Sequence, residues 1–596
     1  MAGPLKLNEY YKGVLELAAV HLLNKHKAEE VPTPYEKNSK YVKFYQLERV
    51  IEGKRLTLIL CLPFNYPDDL PKVFIPEPLF SELFPIPHLD CFNTLCTFDE
   101  NEVHPNEEQP IEILEQVIER AFYLLHQGYT HQNDTDFVDE LKSYWDQETK
   151  YLILSLINPD SLPREVYWIH FQKSGHETFS LIADSKEDGE KWVSQYGGNI
   201  LGMAVKAWYQ PVTSLGMPPF PTKNREMYQR LSKHGNISIR PFLSFLNRNN
   251  RPSLIVFSIP HIDGYVMGAW LHSKNEQILK TAYKGKGRLQ TSLKGFRAGK
   301  RNAHFELSRD FGNLPIIRYR IERVDAKRLF TRGGDGPSHK DSGIAMIGCG
   351  SIGSHLSQAL VESGTQKMLL IDSEKLNFEN IARHSCGATY VGEPKVHAIK
   401  HSLVSHFPQL DITVRNQDVL QTIIKQEDLL NTFDLVISAL GAFAVEHRLN
   451  LLLRDGKIST PMLFVWVEPF AVGGHAIYVD PKRIGCFDCL FDSLGRYQRG
   501  ILRHPDRYLK REAGCQTSYT PYSVVDLKRF IYDLNVFIDE IMKGEVRKNT
   551  VFTWIGNLKA HQEQGREIAG RWKASQPYSS WRLPIEEFGL CDRCDP

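Results

Sequence analysis

Apolar residues in the C-terminal half of the chain recur at intervals that predict strands alternating with helices. Residues 344–347 form a short apolar run typical of a buried strand. A helix is predicted directly after it, because Ile352, Leu356 and Leu360 recur at a spacing of four. Lys367–Ile371 predicts a second strand, and the apolar runs in DITVRN and FDLVISAL predict two more. This alternation favours an α/β fold with a doubly wound parallel sheet.

The N-terminal part, residues 1–150, has a different pattern. Residues 9–27 predict an amphipathic helix, and the alternating stretches 41–47 and 56–62 predict two strands. A loop punctuated by prolines follows, and a second helix is predicted near residues 111–126. The order indicates a separate α+β domain.

Residues 151–327 favour a β-rich or mixed linker domain. Five stretches rich in β-branched and aromatic residues predict strands: EVYWIHFQ, TFSLIAD, SIRPFLSFLN, SLIVFSIP and YVMGAWLH. No catalytic constellation is visible there. Residues 280–301 carry eight Lys and Arg and no acid, which fits either a solvated loop or a docking surface for an acidic partner.

The composition bounds the possible classes of function. The chain has 596 residues, with 72 Lys and Arg against 71 Asp and Glu, so no global charge favours nucleic acid or anionic membrane. The apolar runs are too short to span a bilayer, and the N-terminus does not resemble a signal peptide. A cytoplasmic protein is expected. Ten cysteines in such a chain indicate metal binding or catalysis rather than a disulfide scaffold.

The turn after the 344–347 strand has the composition of a nucleotide site. Gly348, Gly350 and Gly353 have the GxGxxG spacing, which lets the backbone approach a phosphate closely. The next helix would point its free N-terminal amides at that anion. Asp372 follows nineteen residues after Gly353, where a carboxylate can accept from a ribose hydroxyl. The spacing alone does not distinguish NAD from ATP.

The residues after Asp372 favour ATP over NAD, because they resemble a family of ATP-dependent enzymes. Asn380, Arg383 and Lys395 have the spacing of the ThiF and ubiquitin-activating adenylation family. The resemblance implies a Rossmann-like adenylation domain over residues 328–596, in which these three side chains hold ATP phosphates. The family usually ends a later strand with an Asp that helps to hold magnesium, but the matching stretch 438–441 has none. Mg²⁺ is therefore expected from ATP chemistry, with the phosphates, Asp372 and another acid that the sequence does not identify as ligands.

Two CxxC pairs predict a metal site near the C-terminus. The four residues are Cys486, Cys489, Cys591 and Cys594. Two such pairs supply the four thiolates of a tetrahedral Zn²⁺ site. Because sulfur fills all four positions, the zinc is expected to be structural and to fasten the C-terminal tail to the domain.

One candidate catalytic cysteine lies in each terminal part. The N-terminal domain resembles a ubiquitin-conjugating domain, which implies that Cys96, after the Asn-Thr-Leu turn, forms a thioester. Eukaryotic members place His-Pro-Asn before this cysteine; here Pro-His-Leu precedes it, so His88 is a candidate for shaping the site. Cys515, between a glycine and a Thr-Pro-Tyr turn, resembles the catalytic cysteine of ubiquitin-activating enzymes.

The whole chain resembles the bacterial E2–E1 fusion proteins of CBASS antiphage operons. The resemblance implies a homodimer formed by the adenylation domains. It also implies a partner whose C-terminal tail is adenylated, a cyclic-nucleotide synthase, and an amine-bearing target. No membrane or direct nucleic-acid partner is expected.

Two other functions remain open on the sequence. A sulfur-carrier adenylyltransferase would share the nucleotide and zinc sites but would not need Cys96. A non-catalytic scaffold would explain the missing Asp in 438–441 as a degenerate nucleotide site.

Overall fold

The computed structural model describes the chain from residue 7 to residue 594 with internal gaps. The gaps are residues 35–39, 100–102, 139, 148, 150, 174, 176, 217–219, 235–239, 250, 263, 275–310, 334–341, 509 and 512–517. The basic segment 280–301 and Cys515 therefore lie outside the described residues. The chain forms two compact units, Met1–His170 with Phe179–Lys186 and Gly202–Arg323, and Phe171–Thr178 with Glu187–Leu201 and Val324–Pro596. The predicted domain boundaries near 150 and 327 stay a prediction.

The N-terminal sheet is antiparallel and carries two long helices. Its five strands are, in spatial order, Glu29–Glu30, Tyr41–Ile51, Lys54–Pro63, Lys72–Phe74 and Thr94–Leu95. The helices Leu7–Lys25 and Pro110–Tyr129 pack with this sheet in one apolar core, joined by the short helix Leu79–Leu83. The predicted pair of helices and both predicted strands are confirmed.

Two further helical segments follow this core. They are Asp134–Val138, which is a 3₁₀ helix, and Leu141–Gln147. The buried Tyr144 and Trp145 anchor the second one, so the segment is held against apolar neighbours rather than exposed as a linker.

The middle sheet is mixed and has eight strands. In spatial order they are Val205–Pro211, Ser253–His261, Gly264–His272, Ile317–Arg323, Leu152–Ser155, Thr178–Ala183, Arg164–Gln172 and Asn199–Ile200. Val205–Pro211 also pairs with Arg164–Gln172, so the order of seven strands closes on itself. Three helices accompany it: Lys186–Gln195, Asn224–His234 and Arg240–Arg248.

One strand prediction in this region is wrong. The stretch SIRPFLSFLN contains the helix Arg240–Arg248, which buries Phe242, Leu243, Phe245 and Leu246. These four residues fall at i, i+1, i+3 and i+4, which places them on one face of a helix. The β-favouring phenylalanines outweighed this spacing in the prediction, and the region combines strands with helices.

The C-terminal sheet has the predicted Rossmann-like order. Its strands are Asp411–Arg415, Lys367–Ile371, Gly343–Ile347, Leu435–Ser438, Met462–Val467, Gly473–Val479, Thr550–Ile555 and Ser580–Pro584. The first five are parallel, and the last three are antiparallel. Its helices are Ala326–Gly333, Ser351–Glu362, Lys395–His406, Val419–Lys425, Phe443–Arg454, Val524–Met542 and Leu558–Glu563. Helices thus follow the parallel strands, as a doubly wound sheet requires.

The stretch PMLFVWVEPFAVGGHAIYVDP predicts two strands that turn at Gly473 and Gly474, but the chain reverses before Gly473. The reversal occupies Pro469–Ala471, and both glycines lie inside the next strand. A Cβ on Gly474 would lie 2.3 Å from the Phe530 ring. The glycine is therefore needed for close packing of the Val524–Met542 helix on the sheet. The spacing of the apolar residues on that helix predicts a stripe that lies in the core or in a dimer surface. The helix buries Leu527, Ile531, Leu534 and Ile538 in the core.

Among the described helices, none combines the length and the apolar character that crossing a bilayer requires.

Candidate functional site

The glycine-rich turn joins the Gly343–Ile347 strand to the Ser351–Glu362 helix. Gly348 has φ +87°, and a Cβ there would lie 2.9 Å from the Ala439 carbonyl oxygen. A Cβ on Gly353 would lie 1.9 Å from the Gly348 carbonyl oxygen, so any larger residue would break the turn. A Cβ on Gly350 would meet nothing within 4 Å, so this glycine borders open space at the start of the helix. Such space beside free helix amides suits a phosphate.

Asp372 closes the turn from the neighbouring strand. Its Oδ2 accepts a 2.7 Å hydrogen bond from the Cys349 amide, and its Oδ1 accepts one of 2.7 Å from the Glu374 amide. Each carboxylate oxygen has a second lone pair, so Asp372 can still accept a ribose hydroxyl or ligate a cation. The two amides fix the carboxylate at the carboxyl end of the parallel strands, where ligands of this fold bind.

The three predicted phosphate-binding residues lie on the segment after Asp372. Lys395 begins a helix and is buried, and its ammonium pairs with the exposed Glu374 carboxylate. The Arg383 carbonyl accepts a 2.6 Å bond from the Ser351 hydroxyl, which ties its loop to the start of the Ser351–Glu362 helix. Asn380 caps the same loop: its side-chain oxygen accepts from the Asn377 amide at 3.0 Å. A phosphate would compete with Glu374 for the Lys395 ammonium.

His384 joins this loop to the glycine turn and was missed by the sequence reasoning. Its Nε2 lies 2.9 Å from the Cys349 carbonyl oxygen, and its Nδ1 accepts from the Cys386 amide at 3.0 Å. With Nδ1 accepting, Nε2 must carry the proton, so the ring is neutral. Burial lowers the pKa of His384, which agrees with that form. The sequence signal that could have identified His384 is its position directly after Arg383, a predicted phosphate-binding residue.

Glu446 lies behind the turn where the family Asp is missing, and it was also missed. Ser438, the last residue of its strand, donates a 2.9 Å hydrogen bond to Glu446 Oε1. The loop amides of Leu440 and Gly441 also bond this carboxylate, and burial raises the pKa of Glu446 to about 7. Its oxygens face Ser438 and the loop amides, so Glu446 holds the loop in place. Asp372 at the glycine turn offers a carboxylate that fits Mg²⁺, which would be held there together with the phosphates.

The four cysteines of the two CxxC pairs come together. Their sulfur atoms all lie within 4.8 Å of one another, with Cys486 Sγ 3.9 Å from Cys489 Sγ and 3.7 Å from Cys591 Sγ. Zn–S bonds of about 2.3 Å in a tetrahedron place sulfurs about 3.8 Å apart. The cluster therefore fits Zn²⁺ with every position filled, and the group would be structural.

Arg454 supports this cluster, and the sequence reasoning missed it. Its Nη1 lies 2.5 Å from Cys594 Sγ, and its Nη2 bonds the Arg593 carbonyl. Four thiolates around one Zn²⁺ leave a net charge of −2, which a guanidinium partly neutralises. The amides of Cys486 and Cys591 also point at Cys489 Sγ, both at 3.4 Å.

Cys96 is exposed at the end of the Thr94–Leu95 strand. Its amide donates to the His88 carbonyl oxygen at 2.8 Å, and its sulfur lies 3.7 Å from the Phe98 carbonyl oxygen. The cysteine borders a cleft of about 530 Å³ whose lining includes His88, Asp90 and Glu140. An exposed thiol in an open cleft is accessible to a second macromolecule, whereas a structural cysteine is usually buried.

The literal His-Pro-Asn triplet, residues 104–106, lines a smaller, mostly apolar pocket of about 270 Å³. Phe98 and Leu70 line both this pocket and the Cys96 cleft. The triplet thus lies near the cysteine site without taking the place that the family gives it, before the cysteine.

Cys515 lies outside the described residues, but the two ends of its segment are described. Lys510 pairs with Tyr519 and Arg511 pairs with Ser518 in a two-stranded antiparallel ladder. Arg511 and Ser518, the described residues on either side of 512–517, therefore lie opposite each other in this ladder.

Comparisons with known proteins agree with this architecture. Residues 336–515 match the ThiF family, and residues 24–153 match the prokaryotic E2 family B. The ATP-dependent ubiquitin transferase-like protein Cap2 of Vibrio cholerae is 23% identical over 519 residues, covering 80% of this chain and 84% of that protein. The Cap2 protein of Pseudomonas aeruginosa is 28% identical over 216 residues, covering 35% of this chain and 38% of that protein.

A solved structure is also similar in part. The crystal structure of E. coli MccB with AMPCPP and MccA is 15% identical and has a TM-score of 0.31, covering 45% of this chain and 70% of that chain. From the two family matches and the extent of the Vibrio match, the chain is a fusion of a prokaryotic E2-like domain with an E1-like domain of the ThiF family.

Proposed function

We propose that this protein is an ATP-dependent ubiquitin-like activating and conjugating enzyme. ATP-dependent ubiquitin-like conjugation is the general activity that the Cap2 relatives and the E1-like and E2-like domains support. We further propose that the acyl group passes from the activating domain to Cys96 and then to a target. The observation that supports this transfer is that Cys96 is exposed at an open cleft, in the same chain as the glycine turn. An activating enzyme that acted alone would have no use for that thiol.

Activation begins when the C-terminal carboxylate of a partner protein attacks the α-phosphorus of ATP. A carboxylate oxygen forms the new P–O bond and pyrophosphate leaves, which gives an acyl-adenylate. The amides after Gly348 and the cations Arg383 and Lys395 are suited to neutralise the charge that builds on the phosphates. Asp372 would hold Mg²⁺ together with the phosphates, and the ion would supply further positive charge to offset the charge on the phosphates.

The acyl group then moves between two sulfurs. The Cys515 thiolate attacks the acyl carbon and AMP leaves, which forms a thioester. The Cys96 thiolate displaces Cys515 in a second exchange, and an amine of the target displaces Cys96 to form an amide. Each exchange replaces one acyl bond by another of similar or lower energy, so one difficult condensation becomes several easier steps.

By the resemblance to CBASS fusion proteins, the partner is the cyclic-nucleotide synthase of the operon, which acts in antiviral defence in the cytoplasm. The enzyme would act as a homodimer formed by the adenylation domains.

The test is intact-protein mass spectrometry with ATP, Mg²⁺ and a candidate partner, together with ATP–pyrophosphate exchange. Cys515→Ala should keep exchange but lose both thioesters, and Cys96→Ala should keep the Cys515 thioester but lose the amide. Cys91→Ala, which changes a cysteine in the turn before the Thr94–Leu95 strand, is the matched control. Amide formation by Cys96→Ala would exclude the relay.

The other outcomes identify the two alternatives. Exchange without any adduct on Cys96 would support a sulfur-carrier adenylyltransferase. Absence of exchange with every tail tried would support a scaffold with a degenerate nucleotide site.

A further inference from the structure

The turn that precedes Cys96 is held by the helical segments after the N-terminal core. The Tyr144 hydroxyl lies 2.9 Å from the Ile86 carbonyl oxygen and 3.1 Å from the Leu89 carbonyl oxygen. A hydroxyl has one proton, so the two carbonyls share it. Tyr144 is buried, and both ends of the turn 86–89 are therefore fixed by one side chain.

Between these ends, His88 is held by two carboxylates. Glu140 Oε2 accepts the His88 amide at 2.9 Å, and Glu140 Oε1 lies 2.8 Å from His88 Nδ1. Asp136 Oδ2 lies 3.1 Å from His88 Nε2. Both ring nitrogens thus face acceptors, which favours the imidazolium with a proton on each.

The protonation behaviour of the pair agrees with this geometry. The hydrogen bond to Glu140 raises the pKa of His88. Burial opposes ionisation of Glu140, but its bonds with His88 outweigh that effect and lower the pKa of Glu140. The partners therefore stabilise each other's charged forms.

His88 passes this constraint to Cys96 through the backbone. Its φ of +66° is a left-handed conformation that a non-glycine residue adopts rarely and that its surroundings must hold. In this conformation the His88 carbonyl accepts the Cys96 amide, and Leu89 forms a bridge with Leu95. Glu140, His88 and Cys96 thus form a chain of three directly linked residues.

We propose that Glu140 is a positioning residue, which through His88 fixes the turn that presents the Cys96 thiol to the incoming thioester and to the acceptor amine. The kinetic part of this inference rests on the proposed transfer function; the link itself does not. A thiol displaced by a fraction of an ångström meets an acyl carbon less often in the reactive geometry.

The link should depend on pH in a defined direction. Since the pKa of His88 is raised above 6.5, its contribution is complete below pH 6.5 and is lost as pH rises through the raised value. Since the pKa of Glu140 is lowered below 4.5, its contribution is present above pH 4.5 and is lost as pH falls through the lowered value. The turn should be most constrained between about pH 4.5 and 6.5.

Other charged groups line the same cleft, so their charges also act on His88 and Glu140. Among the described lining residues, Lys72 comes from the sheet, and Asp90 and Asp99 come from the turns around Cys96. Asp90 Oδ1 accepts hydrogen bonds from the amides of Phe92 and Thr94, so this carboxylate stabilises the turn that contains it.

The link is tested by hydrogen exchange of the Cys96 amide in the full chain, resolved by fragmentation mass spectrometry and corrected for intrinsic pH effects. In the unmodified protein, protection should fall as pH rises from 6 to 8.5. Glu140→Gln should lose about tenfold or more of this protection at pH 6 and flatten the profile, and Glu140→Asp should restore part of it. Asp134→Asn is the matched control, because Asp134 pairs with the exposed His131 instead.

Single-turnover transfer from Cys515 to Cys96 tests the kinetic part. Glu140→Gln should slow this step about tenfold or more and leave Cys515 charging unchanged. If a folded Glu140→Gln protein shows the same protection of the Cys96 amide and the same pH profile as the unmodified protein, the link between Glu140 and Cys96 is refuted. If the variant transfers the acyl group from Cys515 to Cys96 at the unmodified rate, the positioning role of Glu140 is refuted. Loss of protection together with no thioester in the unmodified protein would instead overturn the proposed function while supporting the link.

Discussion

The Ser438 hydroxyl donates a 2.9 Å hydrogen bond to the Glu446 carboxylate behind the glycine-rich turn. Both residues are buried, and the loop between them contacts the turn where Ala439 approaches Gly348. The family that the chain resembles usually has an Asp at this strand end, and residues 438–441 of this chain have none. The structure places another acid there, Glu446, eight residues after Ser438 in the chain.

Glu446 should make stability fall as pH rises. Burial raises the pKa of Glu446 from 4.5 to about 7, so the folded state holds a proton that the unfolded state releases above pH 4.5. The free energy of unfolding should therefore decrease between about pH 4.5 and 7, by up to about 3 kcal/mol. Glu446→Gln should remove this component in denaturant titrations at pH 5 to 8. Asp455→Asn, an exposed acid after the same helix, is the control; parallel pH profiles for all three proteins would contradict the assignment.

Gly353 and Gly350 should respond differently to alanine. Gly353→Ala forces a carbon to within 1.9 Å of the Gly348 carbonyl oxygen, so the turn must deform and stability should fall by roughly 2 kcal/mol or more. Gly350→Ala meets no protein atom within 4 Å, so the melting temperature should hardly change. Its methyl group borders the expected phosphate space, so ATP affinity by calorimetry should fall about tenfold or more. Equal effects of both variants on melting would contradict this account.

One zinc ion per chain is expected from metal analysis of the purified protein. Cys591→Ser should lower this content towards zero, because three sulfurs hold Zn²⁺ much less tightly than four. The tail from residue 585 onward should then become susceptible to protease. Cys61→Ser, a buried cysteine of the N-terminal sheet, should leave the zinc content unchanged. Full zinc occupancy in Cys591→Ser would refute the four-sulfur site.

Arg454 offers a finer test of the same centre. Arg454→Ala removes the guanidinium that bonds Cys594 and the Arg593 carbonyl, so zinc should be lost to a chelator about tenfold faster. Arg454→Lys keeps the charge and should recover part of the difference. Unchanged release in Arg454→Ala would show that the arginine does not support the site.

Glu468 should be indispensable for the segment that leads to Lys510. Its oxygens accept the amides of Ile501 at 2.6 Å and Leu502 at 2.8 Å, and Oε1 lies 2.7 Å from the buried His475. Glu468→Ala leaves these buried donors without an acceptor, which should cost about 3 kcal/mol or more of stability. Hydrogen exchange at 501–502 should increase first. Glu427→Ala, which breaks an exposed ion pair with Lys457, should cost less than about 1 kcal/mol.

Short sequence patterns sufficed for the features that depend on neighbouring residues. The glycine spacing, the two CxxC pairs and the period of the Val524–Met542 helix were readable because each requires fixed separations along the chain. The four-cysteine cluster was predicted although its halves are about a hundred residues apart, since each CxxC pair is recognisable from its own short spacing.

The tertiary structure decided the partners that local patterns cannot specify. Glu140 is 52 residues from His88, and Arg454 is 140 residues from Cys594. Nothing near these side chains in sequence distinguishes them from solvated charges; folding brings each one to a site where burial strengthens its bonds. The helix Arg240–Arg248 shows the same limit, because its phenylalanines favour strands but are helical where that conformation buries all four apolar side chains on one face. The sequence by itself determined the two domain types and their local motifs, whereas long-range packing determined which side chains hold the reactive residues in place, because that choice depends on burial.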